Sequence, residues 1–454
     1  MEKSAYLIQG ALFFYLLLGM SMAIIPEQTH HAQKTVLRSL RLISEQTARK
    51  SLSQKARRSS RIVGIGYIVA CLVILTQMKL QVGKIAETPM PPGPVTLSNQ
   101  AAADAQFHQL VNDVVQPLMR KHVGIVIVTI ADEQFDISAF GRVHLKTETP
   151  PDKETLFEIG SLSKVFTGIV LAAQVHNNKL TLQTPLASLL PALGAFPDSR
   201  VQRITLEQLA THTAGLPRMP SGAFRPVNIW KTIIASDSYR AYTEQDVLAV
   251  IPRKTSREPS DLRFRYSNAG FGLLGMILSE ESGMTYHDLI QTTIANPLGL
   301  KDTGVMLDEE QHARVAAGYR SYLHLGSFYL AQRSALWDFP NCMAGAGGIR
   351  SSAADMLVFL NALLGRTRTE LTPVFQESQN ILFTNKEMQI GMGWFHATLP
   401  ASGESIIWHN GGTGGYSSFL GLTANKRFGV CVLSNSARSV DDIGYRILDA
   451  LITS

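Results

Sequence analysis

Two long uncharged stretches near the N-terminus restrict what this chain can fold into more than any other feature. Residues 6–25 are twenty apolar or neutral residues, enough for a helix that crosses about 30 Å of hydrocarbon. Residues 62–78 are a second uncharged run of seventeen residues, close to the shortest helix that spans a bilayer. We therefore expect two transmembrane helices within a membrane region that covers residues 1–85.

The loop between the two runs is strongly basic. Residues 26–61 carry nine lysines and arginines against two glutamates, whereas the whole chain of 454 residues has a net charge of +6. Because positive loops stay on the cytoplasmic side, we expect a plasma-membrane protein whose main domain is periplasmic or otherwise extracytoplasmic. The basic loop is expected to contact anionic membrane lipid. The rest of the chain is near neutral, which argues against nucleic acid as a partner.

Other interpretations of the N-terminal region stay open. The second run is compatible with a buried core helix. Residues 68–71 resemble a lipoprotein cleavage site that ends in Cys71, and a start further downstream would turn the second run into a signal anchor. Residues 86–100 contain four prolines and predict a stiff linker. The main domain is expected to cover residues 101–454.

The pattern of the main domain predicts an α/β (α+β) fold, an antiparallel sheet covered by helices plus a helical subdomain. The helical subdomain is expected within residues 180–310, which read mostly as helix and loop. The other expected elements are helices over 101–121, 161–176 and 439–453 and strands over 123–130, 135–144, 405–410, 415–423 and 427–435. The chain has only three cysteines, too few for a disulfide framework.

The stretch FEIGSLSKVFTG, residues 157–168, places Ser161 and Lys164 three positions apart at the start of an apolar helix. Residues at i and i+3 share one helix face. Burial and the positive end of the helix dipole both disfavour a charged lysine, so a neutral amine is expected to accept the Ser161 proton. On spacing alone, an N-cap serine followed by a surface lysine stays open, but the apolar neighbours favour a nucleophile.

Two further motifs follow in order along the chain. RYSNAG contains Tyr266 and Asn268, and WHNGGTGGYSS contains His409 and Gly411. Ser-x-x-Lys, then Tyr-x-Asn, then a basic residue-x-Gly resembles the serine β-lactamase and penicillin-binding protein superfamily, in particular its class C and D-stereospecific peptidase and esterase branch. Three accessory stretches resemble that branch too, and they lie at 211–217, 295–304 and 346–356. The resemblance covers residues 105 to 454.

The resemblance implies a β-lactamase/transpeptidase-like fold and acyl-enzyme chemistry that uses no cofactor and no metal. The implied catalytic residues are the nucleophile Ser161 and the proton-transfer groups Lys164 and Tyr266. The implied substrate-binding residues are Asn268, His409, Gly411 and Gly412. The backbone N–H groups of Ser161 and Gly412 would form the oxyanion hole.

The sequence departs from the family pattern at two places. His409 stands where class C lactamases carry lysine, and an uncharged histidine should weaken capture of a substrate carboxylate. Arg218 and Met219 follow the Gly-Leu-Pro turn, where those enzymes usually place glutamine. Both departures favour a D-peptidase or an esterase over an efficient antibiotic-degrading enzyme.

Three expectations concern the surroundings of the site. The glycines of the third motif, at 411, 412, 414 and 415, are expected to let substrate approach the strand closely. The cation of Lys164 is expected to lower the pKa of Tyr266. His212 is expected to shape a turn rather than to act on substrate.

Three functions are compatible with these features. The first is a membrane-tethered serine hydrolase that acts through an acyl-enzyme on cell-wall D-peptides, β-lactams or esters. The second is a non-catalytic penicillin-binding or scaffold protein that keeps the fold, and the third is a membrane sensor of a cell-wall ligand. The sequence leaves open the acyl group, the leaving group, the oligomeric state and whether the hydrophobic runs are retained or processed.

Overall fold

The computed structural model describes residues 80–84, 103–190, 202–220, 237, 239–251, 263–325 and 328–453. The chain divides into two compact units, Met1–Gln81 and Val82–Ser454, and the second contains the elements discussed below except for Leu80 and Gln81 of the first strand. The predicted membrane-spanning runs and the predicted linker lie outside the described residues. Within the described ranges, no helix combines the length and the apolar composition that crossing a membrane requires.

The strands, in chain order, are β1 Leu80–Lys84, β2 Gly124–Ala131, β3 Gln134–Gly141, β4 Leu156–Glu158, β5 Tyr319–Leu325, β6 Phe328–Arg333, β7 Arg350–Ser352, β8 Phe383–Thr384, β9 Gln389–Ile390, β10 Phe395–Thr398, β11 Ser405–Gly412, β12 Ser417–Thr423 and β13 Phe428–Ser434. The main sheet has eight antiparallel strands in the order β3-β2-β13-β12-β11-β10-β9-β8. Strands from the first and the last third of the chain therefore meet in this sheet, where β2 pairs with β13.

The α-helices, in chain order, are α1 Ala103–Val115, α2 Ser163–His176, α3 Leu186–Leu189, α4 Leu206–Ala210, α5 Glu244–Leu248, α6 Asn268–Ser282, α7 Tyr286–Ile290, α8 Asn296–Leu298, α9 Glu309–Ala313, α10 Asn341–Gly347, α11 Ala353–Leu363, α12 Thr372–Gln379 and α13 Asp441–Thr453. Short 3₁₀ turns at Gln116–Lys121 and Gly160–Leu162 extend α1 and precede α2. Gln291–Ala295 forms a π-helical turn.

Helices cover both faces of the main sheet because the side chains of a strand alternate between its faces. On β2, Ile125 and Ile127 share a buried cluster with residues of α1 and α13. Val126 and Val128, which point the other way, belong to the larger cluster that includes α2, α6, α10 and α11. A strand buried on both faces reads as a continuous apolar run, as GIVIVTIA does.

Helix α2 lies in the middle of the larger cluster, and all of its residues from Ser163 to Ala173 are buried. Its Thr167 hydroxyl donates to the Gly345 carbonyl at 2.8 Å and lies 2.7 Å from the Tyr286 hydroxyl. These contacts hold α2 against α10. The register between the two helices therefore fixes which α10 carbonyl faces the first turn of α2.

The predicted antiparallel sheet covered by helices is confirmed, and the final helix begins at Asp441, two residues inside the predicted range. The pattern analysis did not predict the hairpin of β5 and β6, nor the two-stranded pairing of β4 with β7. Strand β3 ends earlier than predicted, at Gly141, whose φ of +76° turns the chain out of the sheet.

Candidate active site

Ser161 lies in the 3₁₀ turn between β4 and α2. Gly160 precedes it with a φ of +51°, a conformation that residues with a Cβ rarely adopt. A Cβ on Gly160 would come within 2.6 Å of the backbone nitrogen of Gly412. The turn that presents Ser161 is therefore packed directly against the end of β11.

Lys164 is in the first turn of α2 and has no solvent-exposed surface. Its Nζ lies 3.0 Å from Ser161 Oγ and donates to the carbonyl oxygen of Ala346 at 2.6 Å. Burial, and secondly the nearby positive charge of Arg218, hold the pKa of Lys164 well below its usual value. A neutral amine at this distance has a lone pair that can accept the hydroxyl proton of Ser161.

Tyr266 donates its hydroxyl to Ser161 Oγ at 2.9 Å. Its ring centre lies 5.0 Å from Lys164 Nζ and 4.5 Å from the ring centre of His212. The expected lowering of the tyrosine pKa is wrong, because burial raises the pKa of Tyr266 to about 12 and outweighs the hydrogen bond to Ser161 and the charge of Arg218. At neutral pH the phenol keeps its proton, so it acts as a donor to Ser161.

Asn268 is the first residue of α6, directly after Ser267, which caps the helix by accepting from the Gly270 N–H at 2.8 Å. The Asn268 Nδ2 donates to the Tyr239 hydroxyl at 3.0 Å and lies 3.5 Å from Met219 Sδ. A thioether accepts but does not donate, so the amide NH₂ of Asn268, rather than its oxygen, faces Met219 and Tyr239. The Asn268 Oδ1 is buried and has no hydrogen-bond partner in the described part of the chain.

His409 lies in β11 and is only 1% exposed. Its Nδ1 lies 2.5 Å from the Asn410 carbonyl oxygen, so Nδ1 carries the proton and Nε2 is left as a lone pair. Within the described residues Nε2 has no partner. Burial is the main cause that lowers the pKa of His409 to about 3, so this side chain is neutral at physiological pH.

The sequence matches the family model described as Beta-lactamase over residues 111–453, which is three quarters of the chain. The chain belongs to the beta-lactamase family. The resemblance inferred from the three motifs is thereby confirmed, and by family the protein is a serine hydrolase.

Individual relatives of this beta-lactamase family member are distant. The D-alanyl-D-alanine-carboxypeptidase/endopeptidase AmpH of Escherichia coli (strain K12) is 25% identical over 68% of this chain and 78% of its own length. A beta-lactamase of Pseudomonas fluorescens is 24% identical over 72% and 93%. The crystal structure of a class C beta lactamase from Rhodobacter sphaeroides superimposes with a TM-score of 0.62, at 24% identity, over 76% of this chain and 99% of that one. This last likeness shows a shared fold.

The glycines of the third motif have a different role in this family member from the one expected. A Cβ on Gly411 would meet the Ile159 carbonyl oxygen at 1.9 Å, and one on Gly414 would meet Trp337 Nε1 at 2.5 Å. These positions are therefore filled by the protein's own chain rather than left for substrate, and Gly415 is likewise filled. Gly412 is the only one of the four on which a Cβ would meet no described atom nearer than 3.9 Å.

The structure brings Ser161, Lys164 and Tyr266 into direct contact. His212, expected to shape a turn, has a φ of +60° and its Nδ1 accepts from the Ser267 N–H at 3.1 Å. It thereby packs under Tyr266 and holds the second motif in place. Burial lowers the pKa of His212 well below its usual value, so it adds no charge there.

Sequence reasoning missed two groups that touch the site. The Ala346 carbonyl, which accepts from Lys164, lies in the stretch AGGIRSSAADM, one of the accessory motifs, so the motif itself was the available signal. Tyr239, which contacts Asn268, is part of an aromatic group with Trp337 and Phe339, at ring-centre distances of 5.1 and 4.2 Å. No sequence pattern links Tyr239 to the second motif.

Proposed function

We propose that this protein hydrolyses D-alanyl cell-wall peptides and related esters through an acyl-enzyme on Ser161, with β-lactams as slower acyl donors. One observation carries the proposal: the Lys164 amine and the Tyr266 phenol both lie within 3.0 Å of the Ser161 hydroxyl oxygen. A binding module has no need of a fully buried lysine beside a serine, since burying a charge is costly.

The contacts support a definite order of proton movements. Ser161 Oγ accepts from Tyr266 and lies 3.0 Å from Lys164 Nζ, so attack on a carbonyl passes the hydroxyl proton to the lone pair of a neutral amine. The N–H groups of Ser161 and Gly412 are the donors for the oxyanion, and such donors are commonly worth 10²–10³ in rate. Tyr266 then supplies a proton to the leaving group and regains one from Lys164. Water repeats the sequence to release the acid.

The preference for D-peptides and esters over β-lactams has separate support. His409 is neutral, whereas the corresponding residue of class C lactamases is lysine. Arg218 and Met219 follow the Gly-Leu-Pro turn, where those enzymes usually place glutamine. The similarity to AmpH, named as a D-alanyl-D-alanine carboxypeptidase and endopeptidase, supports the same preference.

A labelling experiment tests the reaction. Incubation with a fluorescent fluorophosphonate and, separately, with a fluorescent penicillin should label the parent protein, and peptide mapping should place the fluorophosphonate on Ser161. The Ser161→Ala variant should not be labelled by either probe. Equal labelling of the variant would contradict the proposal, and absence of labelling in a folded parent would favour a non-catalytic scaffold or sensor.

We also propose that residues 1–85 tether the protein to the plasma membrane, with the hydrolase outside the cytoplasm. The support is the two uncharged runs and the basic loop between them. Protease added to intact spheroplasts should digest the domain after residue 100, and a variant that lacks residues 1–79 should no longer sediment with membranes. Protection of the domain in intact spheroplasts would overturn this topology.

A further inference from the structure

The site's motif residues offer no stable positive charge to a substrate. Lys164 is buried and its pKa is held well below its usual value. His409 is neutral, and its Nδ1–H is directed to the Asn410 carbonyl, which leaves a lone pair at Nε2. A lone pair repels a carboxylate rather than binding it. If the substrate is anionic, its charge must be met by a residue outside the three motifs.

Arg218 is an exposed cation held beside the second motif. Its backbone carbonyl accepts from the N–H groups of Asn268 and Ala269 at 2.9 and 3.2 Å, which fixes its main chain at the start of α6. Its guanidinium carbon lies 5.4 Å from the centre of the Tyr266 ring. The hydroxyl of that same ring donates to Ser161, so one aromatic side chain separates the cation from the nucleophile.

The charge of Arg218 affects the pKa values of neighbouring side chains. Its charge contributes to the lowered pKa values of Lys164 and His212 and partly offsets the rise in the pKa of Tyr266. Charges separated by a low-dielectric side chain interact far more strongly than they do across water. The guanidinium is therefore close enough to affect Lys164, His212 and Tyr266 electrostatically.

We propose that Arg218 is a substrate-binding residue that pairs with a carboxylate of the substrate and so takes over the role of the missing lysine at position 409. The proposal rests on the proposed hydrolase function. A guanidinium binds a carboxylate through two parallel N–H donors, and a charge-assisted pair of this kind discriminates by roughly 10- to 100-fold. The carboxylate can belong to the acyl group or to the leaving group, as in a C-terminal D-alanine.

Two matched substrate pairs test the proposal on the full-length protein. The first pair carries the charge on the acyl side, an aryl hemisuccinate against the neutral aryl butyrate. The second carries it on the leaving side, an S-acyl thioglycolate against its thioglycolamide. The preference is the ratio of kcat/KM for the charged member to that for the neutral member, measured in the parent, in Arg218→Gln and in Arg218→Lys.

The parent should prefer the charged member in at least one pair, and Arg218→Gln should lose roughly 10-fold or more of that preference, with Arg218→Lys in between. The pair that responds identifies the side on which the carboxylate lies. The control is Arg446→Gln, which removes the same charge from an exposed arginine paired with Asp442 on α13 and should leave both ratios unchanged. Unchanged ratios in Arg218→Gln, or no preference in the parent, would overturn the proposal.

Labelling by fluorophosphonate separates this proposal from the hydrolase function. That probe carries no carboxylate, so labelling of Ser161 in the parent reports on the reaction without the proposed pair between Arg218 and a carboxylate. Failure of labelling in the parent itself would count against the reaction. Normal labelling with unchanged substrate ratios would count against Arg218 alone.

Discussion

At the scale of single residues, burial decides the chemistry of the site. Burial lowers the pKa values of Lys164 and His409 and raises that of Tyr266, so His409 is neutral and Tyr266 is protonated at physiological pH. Desolvation disfavours the charged form of each group whatever its sign. The nucleophile therefore has one proton acceptor and one proton donor as neighbours, without an ion between them.

The neutrality of His409 has a direct consequence for pH dependence. Because burial places the pKa of His409 at about 3, the imidazole is uncharged between pH 5 and pH 8. It should therefore add no inflection to the pH profile of activity in that range. The pH profile of kcat/KM should thus have the same shape in the parent and in His409→Asn, even if the variant is slower. A parent transition near pH 6.5 that disappears in His409→Asn would show that the histidine titrates.

The sequence was sufficient to select Ser161, Lys164 and Tyr266, because three ordered motifs specify residue types and spacing. It was not sufficient for the direction of the Tyr266 pKa shift, which depends on how much surrounding protein excludes water. It also could not show that Tyr239 contacts Asn268. That contact depends on a loop position far from the motif in the chain.

At the scale of elements, the site depends on one close approach between a turn and a strand. The Gly160–Leu162 turn packs on the end of β11, and Ser418 of β12 donates its hydroxyl to the Ile159 carbonyl at 2.7 Å. Gly160 and Gly411 both lack a side chain where their Cβ atoms would meet backbone. Backbone contact therefore sets the distance between the two proposed oxyanion donors, the N–H groups of Ser161 and Gly412.

Substituting Gly160→Ala should separate those donors. The new methyl group would come within 2.6 Å of the Gly412 nitrogen, and the φ of +51° adds a conformational cost of about 1 kcal/mol. We expect kcat for ester hydrolysis to fall at least about 100-fold, as when an oxyanion donor is lost, with KM changed much less. Gly283→Ala is a control, since its φ of +64° is similar but nothing lies within 4 Å. Full activity in folded Gly160→Ala would contradict this role.

Elements with strong apolar patterns were predictable, among them β2, β3, β11, β12, β13 and α2. The pairing of β4 with β7 was not, because three-residue strands almost two hundred positions apart carry no local signal. The hairpin of β5 and β6 was also missed. The glycines of the third motif look alike in sequence, and only the packing of Ile159 and Trp337 against them shows that most are filled by the protein itself.

At the scale of the whole molecule, the core contains a carboxylate close to the site. Glu158, at the end of β4, is 3% exposed, accepts from the Trp337 N–H at 2.5 Å and lies 3.8 Å from the Arg350 guanidinium. Burial raises the pKa of Glu158 to about 7, in spite of the charge of Arg350. Folding therefore favours the protonated form of this group.

This carboxyl group should make the free energy of unfolding depend on pH. A pKa raised on folding gives a contribution that is complete below the ordinary value of 4.5 and is lost as pH rises through about 7. The loss amounts to up to about 3 kcal/mol. Denaturant unfolding at pH 5 and pH 8 should show a smaller difference in Glu158→Gln than in the parent. An equal difference in the two proteins would exclude this carboxyl as the source.

The rate of fluorophosphonate labelling as a function of pH shows whether a neutral Lys164 accepts the Ser161 proton. The parent should label readily at neutral pH, far below the ordinary lysine pKa, and more slowly as acid protonates the amine. Lys164→Arg, which stays protonated, and Lys164→Met, which has no amine, should both label at least about 100-fold more slowly while unfolding cooperatively. Labelling of folded Lys164→Arg at the parent's rate would contradict the account.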